Sequence, residues 1–185
     1  ILKGELLGLI NVYYTRLRNS KKYINSRTYL SILREYAEVG NHKRCYGIIL
    51  NIKRRGLILS EDYYYYLIDA YCKCGSVILA NQILQEMKKR HLKPNSKIFC
   101  TIIRAYLSQE EPNYTKAFSY LKQMSLLNIN LDSQIYEVFT EHFSKTNEFS
   151  KAYEWINLLQ DMKKNPPIEV YHWFMKICLE KKPHL

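Results

Sequence analysis

One ring position recurs along the chain at nearly constant spacing. Tyr29, Tyr64, Phe99, Tyr136 and Tyr171 follow one another at steps of 35, 35, 37 and 35 residues. Seven residues after each of the first four stands another ring, at Tyr36, Tyr71, Tyr106 and Phe143, and the fifth copy has Cys178 there. Apolar pairs lie between them: Ile32-Leu33, Leu67-Ile68, Ile102-Ile103, Val138-Phe139 and Phe174-Met175. Spacings of three, four and seven put all of these on one helical face. A period of this length means small units that stack, because none can bury its apolar face alone.

A second helical pattern follows the first in each copy. It has a small residue at Cys45, Ala80, Ala117 and Ala152, where a neighbouring helix can approach closely. Apolar residues follow at Ile49, Leu84, Leu121 and Ile156, then at Ile52, Met87, Met124 and Leu159. Gly40, Gly75 and Asn147 separate the two helices and suit the left-handed turn that ends a helix. The third copy reads "SQEEPNY" instead and holds the two extra residues, with Pro112 placed near the start of the next helix. Leu59, Pro94, Leu131 and Pro166 follow the second helices, and a proline there stops a helix from continuing. The unit is helix, turn, helix, loop. Full copies are expected at 26–60, 61–95, 96–132 and 133–167, with 1–25 the second helix of an earlier copy and 168–185 the first helix of a further one. The pattern opens in mid-unit, so a segment of a longer solenoid is expected.

Composition agrees with an all-α chain. Six glycines and five prolines among 185 residues are few for a protein of many tight turns. Cys45, Cys72, Cys74, Cys100 and Cys178 are odd in number and suit neither a disulfide framework nor a zinc site, so reduced thiols are expected. The formal net charge of +11 points to a polyanionic partner.

The stretch "YYYYLIDAYCKCGSVILANQILQEMKKRHLKPN", Tyr63 to Asn95, resembles a pentatricopeptide repeat. Tyr64, Leu67-Ile68, Cys72-Lys73-Cys74-Gly75, Ala80, Glu86-Met87 and Pro94-Asn95 carry the resemblance, and the other copies follow it more loosely. The tetratricopeptide repeat, a protein-binding solenoid, fits less well in period and in its tryptophan and proline pattern. The resemblance implies a right-handed α-solenoid of stacked helix-turn-helix repeats. It also implies single-stranded RNA along the concave face and an organellar home, here expected to be the mitochondrial matrix, with a plastid as the alternative.

In such readers the base-facing residues are the one after the aligned aromatic and the last of the repeat. The first kind are here Leu30, Tyr65, Cys100, Glu137 and His172; the last residues are Ser60, Asn95, Asp132 and Pro167. The resemblance also implies an apolar wedge two before the aromatic, but Arg27, Asp62, Lys97, Gln134 and Glu169 stand there. Leu30 offers no donor or acceptor to a base edge, and Glu137 repels phosphate. Arg34, Asp69, Arg104, Glu141 and Lys176 mix signs along the same face. In the tyrosine run, Tyr64 and Tyr71 are expected in the packing seam, Tyr63 and Tyr66 between units, and Tyr65 in the groove, against a base or a partner peptide.

The excess cations gather at the ends of the second helices and in the loops after them. They are Arg16, Arg18, Lys21 and Lys22; Lys53, Arg54 and Arg55; Lys88, Lys89, Arg90 and Lys93; and Lys163 and Lys164. A helix dipole favours cations at that end by ~0.3–1 kcal/mol each, but three or four per end exceed that need. The favoured reading is an edge that grips RNA phosphates without reading bases. No metal-ligand spacing, glycine-rich phosphate loop, nucleophile elbow or HExxH is present, so catalysis and a cofactor are not expected. The expected role is a non-catalytic RNA-binding module of an organellar ribonucleoprotein, with RNA and other proteins as partners and the mitochondrial ribosome or translation machinery as the setting. The alternatives are a sequence-selective factor for organellar messenger RNA maturation, stability or translation, and a protein-binding scaffold.

Overall fold

The computed structural model describes residues 2–19 and 24–180, and among these ten α-helices and no strands occur. They belong to two compact units, 1–94 and 95–185. The first unit holds α1 (Leu2–Asn19), α2 (Ser26–Glu38), α3 (His42–Arg54), α4 (Glu61–Lys73) and α5 (Val77–Lys89). The second holds α6 (Ser96–Leu107), α7 (Tyr114–Leu126), α8 (Ser133–Thr146), α9 (Phe149–Asp161) and α10 (Ile168–Glu180).

Each unit is a short α-solenoid of stacked helical hairpins. In the first, α2 packs against α1, α3 and α4, and α4 against α3 and α5. In the second, α8 packs against α6, α9 and α10, and α7 against α6 and α9. The repeated apolar stripe is what makes this possible. Tyr29, Ile32, Leu33, Tyr36 and Ala37 are all buried along one face of α2, and Tyr64, Leu67, Ile68 and Tyr71 do the same in α4. Each such side chain contributes ~1.5–3 kcal/mol by leaving water. Cys45, Ala80, Ala117 and Ala152 are sealed at the helix–helix contacts, where their small size admits the neighbour. The core of the second unit is aromatic: the fully buried Trp155 stacks on Phe139 at 5.0 Å and 20°, with Phe143 at 6.0 Å.

Helix ends follow backbone chemistry. Gly40, Gly75 and Asn147 are left-handed at φ 69°, 79° and 55°, in keeping with their place after a first helix. A second set, not anticipated from sequence, ends the second helices: Gly56, His91, Asn128 and Lys163, at φ 69°, 60°, 54° and 52°. Each sits in the same paired hydrogen-bond closure. Gly56 N–H donates to Lys53 O and Leu57 N–H to Ile52 O, and His91 and Leu92 repeat the pattern on Lys88 and Met87. Three of the four are not glycine, which hid the signal. The prolines therefore do not stop these helices. Pro94 lies five residues beyond α5, and both Pro94 and Pro166 are buried, as is Leu59, so that position is a packing contact. Pro112 lies two residues before α7, outside the helix.

Candidate nucleic-acid interface

The residues immediately before the first helices cap them. Asn25 Oδ1 accepts from Thr28 N–H at 2.8 Å, Asn95 Oδ1 from Ile98 N–H at 3.1 Å and Asp132 Oδ1 from Ile135 N–H at 3.2 Å. The other Asp132 oxygen accepts from Ser96 Oγ at 2.7 Å, tying α6 to the start of α8. Ser60 stands at the same place before α4 but makes no side-chain cap bond. Asn95 and Asp132, expected to face bases, thus have oxygens already engaged by the fold; Ser60 is exposed.

The first-helix positions divide. Leu30 and Tyr65 are half-buried and Glu137 and His172 exposed, whereas Cys100, expected in the groove, is only 5% exposed. Burial pushes its thiol up to about 11, so it presents neither thiolate nor open surface. Arg34 and Arg104 are exposed, and Arg34 pairs with Glu35 at 3.1 Å. On α8, Glu141 pairs with Lys145 at 2.7 Å; that bond, Lys145's charge and Arg104 nearby hold its carboxyl below the ordinary value. Asp69 is engaged by Lys73 at 2.8 Å.

The tyrosine run separates by register. Tyr63 and Tyr64 are each 2% exposed. The Tyr63 hydroxyl meets Ser26 Oγ at 2.7 Å, bridging α4 to the start of α2. Tyr64 donates to Glu86 at 3.2 Å, and burial followed by the Glu86 charge pushes its phenol up to about 12. Tyr65 and Tyr66 are half-buried and meet edge to face at 5.1 Å.

The basic edge also sorts itself. Lys53 Nζ lies 2.9 Å from Glu86 Oε1 and Arg90 Nε 3.2 Å from the same oxygen, so one carboxylate holds two of its cations. Burial alone would raise the Glu86 carboxyl, but the bonds from Lys53 and Tyr64 and the charges of Lys53 and Arg90 outweigh it and hold it below the ordinary value. Arg55 donates to the carbonyl of Arg18 at 3.4 Å. Lys88 is half-buried, and desolvation lowers its ammonium below the usual lysine range. Arg54, Lys89, Lys93 and Lys163 are exposed, Lys164 is half-buried, and none of the five pairs with a carboxylate among the described residues. Lys21 and Lys22 lie outside the described residues. The Glu86 network is what sequence reasoning missed, because its members are 22 and 33 residues apart.

Among the described residues no three His, Cys, Asp or Glu side chains gather as metal ligands would, and no helix is long and apolar enough to cross a membrane.

With this geometry in place, the comparisons with known proteins converge. The PPR repeat family model matches residues 63–108. A pentatricopeptide repeat-containing protein of Arabidopsis thaliana is 27% identical over 112 residues, covering 60% of this chain and 35% of that protein. Among solved structures, the pentatricopeptide repeat protein PPR10 from maize, in complex with an 18-nucleotide psaJ RNA element, is similar at TM-score 0.71 and 22% identity, covering 92% of this chain and 25% of PPR10. The PPR domain of Arabidopsis thaliana protein-only RNase P 1, in complex with tRNA, is similar at TM-score 0.58 and 19% identity, covering 81% of this chain and 78% of that one. The chain thus spans about a third of the curated relative and a quarter of PPR10.

Proposed function

We propose that the chain, whose residues 63–108 match the PPR repeat family, is a non-catalytic RNA-binding module that grips the phosphate backbone through the cations at the second-helix ends of each unit. The observation that carries this reading is the set of exposed cations at the second-helix ends. Arg54, Lys89, Lys93 and Lys163 have no carboxylate partner among the described residues. Cations free of protein partners release counterions from a polyanion when they meet it, which is the main source of sequence-independent affinity. RNA is the polyanion favoured because PPR10 and the RNase P domain, which share the fold, were solved with RNA.

The concave positions argue for phosphate contact over base readout. Asn95 and Asp132 already accept capping hydrogen bonds, Cys100 is buried, and Leu30 has no polar atom to offer. A module of this kind suits structured RNA inside a larger particle. The setting we read is a mitochondrial ribonucleoprotein, the ribosome or its translation machinery, and co-sedimentation with ribosomal particles from a mitochondrial extract tests that setting. Selection of bound RNA from a random pool at two salt concentrations tests the binding mode. Binding without a motif, falling steeply as salt rises, is expected. A defined motif that survives the higher salt would overturn phosphate gripping in favour of a sequence-selective factor.

A further inference from the structure

The first unit holds a basic groove that shares Arg18 and Arg54 with the second-helix ends of α1 and α3 but extends along α3 to Lys43 and Arg44, away from that edge and from the first-helix face. The groove, of about 350 Å³, runs between α1 and α3, with Arg18, Lys43, Arg44 and Arg54 on its walls. No carboxylate lines it. None of the four cations pairs with an acidic side chain among the described residues.

Two of these cations stand where local helix stability disfavours them. Lys43 and Arg44 occupy the first turn of α3, which has no acidic residue, so both meet the positive end of the helix dipole. The floor is also unusual. Gly47 lines the groove in the middle of α3, although glycine weakens a helix interior. A Cβ built there would meet nothing within 4 Å, so no packing neighbour requires glycine. The space beside Gly47, on the floor between the cations, is open. Beside it, Asn51 Nδ2 donates to the Tyr14 hydroxyl at 3.0 Å. Tyr14 is 7% exposed and lines the groove, and its own O–H donates to nothing among the described residues. The hydroxyl is thus set to donate a hydrogen bond to an acceptor in the groove.

We propose that the groove between α1 and α3 is a second phosphate site, which takes the sugar–phosphate backbone of an RNA strand on the second-helix side of the first unit. From Lys43 to Arg54 the strip is about 16 Å long along α3, long enough to meet more than one phosphate. Its charged donors are four cations, joined by the Tyr14 hydroxyl, and the Asn51 amide beside them is turned to Tyr14 through its Nδ2. An acidic protein segment offers the same charge sign, but a lining whose charged groups are all cationic, with Ile48 its one aliphatic side chain and that one buried, favours a phosphodiester strand. The site rests on the RNA-binding reading above and adds a second surface to it.

The test is salt-dependent anisotropy of a fluorescein-labelled oligouridine with the 185-residue chain. Gly47→Glu, with a good helix former, places a carboxylate on the floor, and Lys43→Gln/Arg44→Gln removes one cation pair. Both should weaken binding at low salt and reduce the log–log salt slope by ~0.7 for each phosphate no longer neutralised. Gly47→Ala should leave binding unchanged, and circular dichroism should show all three variants folded. Lys116→Gln/Lys122→Gln, at two exposed lysines of α7, controls for net charge and should have little effect. Wild-type slopes in the folded Gly47→Glu and Lys43→Gln/Arg44→Gln chains would overturn the groove. If Lys89→Gln/Lys93→Gln then still lowers the slope, the edge reading survives alone; if the unaltered chain does not bind oligouridine, both fall. Displacement of the oligouridine by polyglutamate at equal charge concentration would assign the groove to acidic protein and overturn the RNA assignment.

Discussion

Replacing Glu86 with glutamine is expected to lower stability and raise RNA affinity in a single step. Glu86 accepts from Lys53 at 2.9 Å, Tyr64 at 3.2 Å and Arg90 at 3.2 Å, and its side chain is 36% exposed. Ion pairs at that exposure contribute ~0.2–1 kcal/mol each, and glutamine keeps an acceptor for Tyr64. The loss is therefore about 1 kcal/mol, a fall of roughly 2–4 °C in Tm for a chain of this size. The same change raises the formal net charge from +11 to +12 and frees Lys53 and Arg90 for phosphates. Each phosphate newly met steepens the salt slope by ~0.7, so a fourfold rise in salt weakens binding about 2.6-fold more than before. Thermal denaturation and oligouridine anisotropy, both on Glu86→Gln, read the two effects. The pH dependence carries a sign of its own. The Glu86 carboxyl is held below its ordinary 4.5, so its network stabilises the fold above that value and is lost as pH falls through the lower folded value. Glu86→Gln should flatten the acid limb below pH 4.5. A folded variant with the wild-type salt slope would refute the idea that Glu86 masks two phosphate-binding cations.

Other expectations follow from the caps, a half-buried histidine and the thiols. Asp132→Ala removes a cap and the Ser96 bond and should cost about 1–2 kcal/mol, while Ser60→Ala, at the same position before α4, should cost little because Ser60 makes no cap bond; urea denaturation compares them. Burial holds the His142 imidazole below its ordinary 6.5, against the charge of Glu148, and its Nε2 meets the Tyr114 hydroxyl at 2.8 Å. The folded chain resists that protonation, so stability should fall as pH drops from 6.5 through the lowered folded value, and His142→Gln should remove this component in a pH series of melts. Cys74 and Cys178 are exposed, whereas burial pushes Cys45 and Cys72 up to about 12 and Cys100 up to about 11. Iodoacetamide near neutral pH should modify Cys74 and Cys178 first and the half-buried Cys72 more slowly, and mass spectrometry at increasing urea should show Cys45 and Cys100 reacting only on unfolding.

Much of the fold is written along the chain. The 35-residue ring period and the three-four-seven stripes specify helices of the observed type, because periodic burial of one face depends only on spacing. Gly40, Gly75 and Asn147 mark turns for the same local reason, since the left-handed backbone is a property of one residue. His91 and Lys163 adopt that conformation too, and nothing in those side chains announces it, whereas Asn128 is of a type that tolerates it. There the closing hydrogen bonds of the helix end decide.

The interface was legible only in outline. A count of cations finds the basic edge, but it does not find Glu86, which reaches Lys53 from 33 residues away and engages Tyr64 and Arg90 as well. Asn95 and Asp132 read as base-facing residues by position, and what position does not show is that the turn of chain before each helix also makes them caps. Cys100 follows an aligned aromatic as Tyr65 does, but packing closes over the one and leaves the other half-open. The groove with Gly47 on its floor exists only because α1 lies beside α3. Spacing thus determined the helices and their buried faces, which are properties of one segment at a time. Which charges stay free, and which are neutralised by a neighbour, was decided by the side chains that stacking brings across from another repeat.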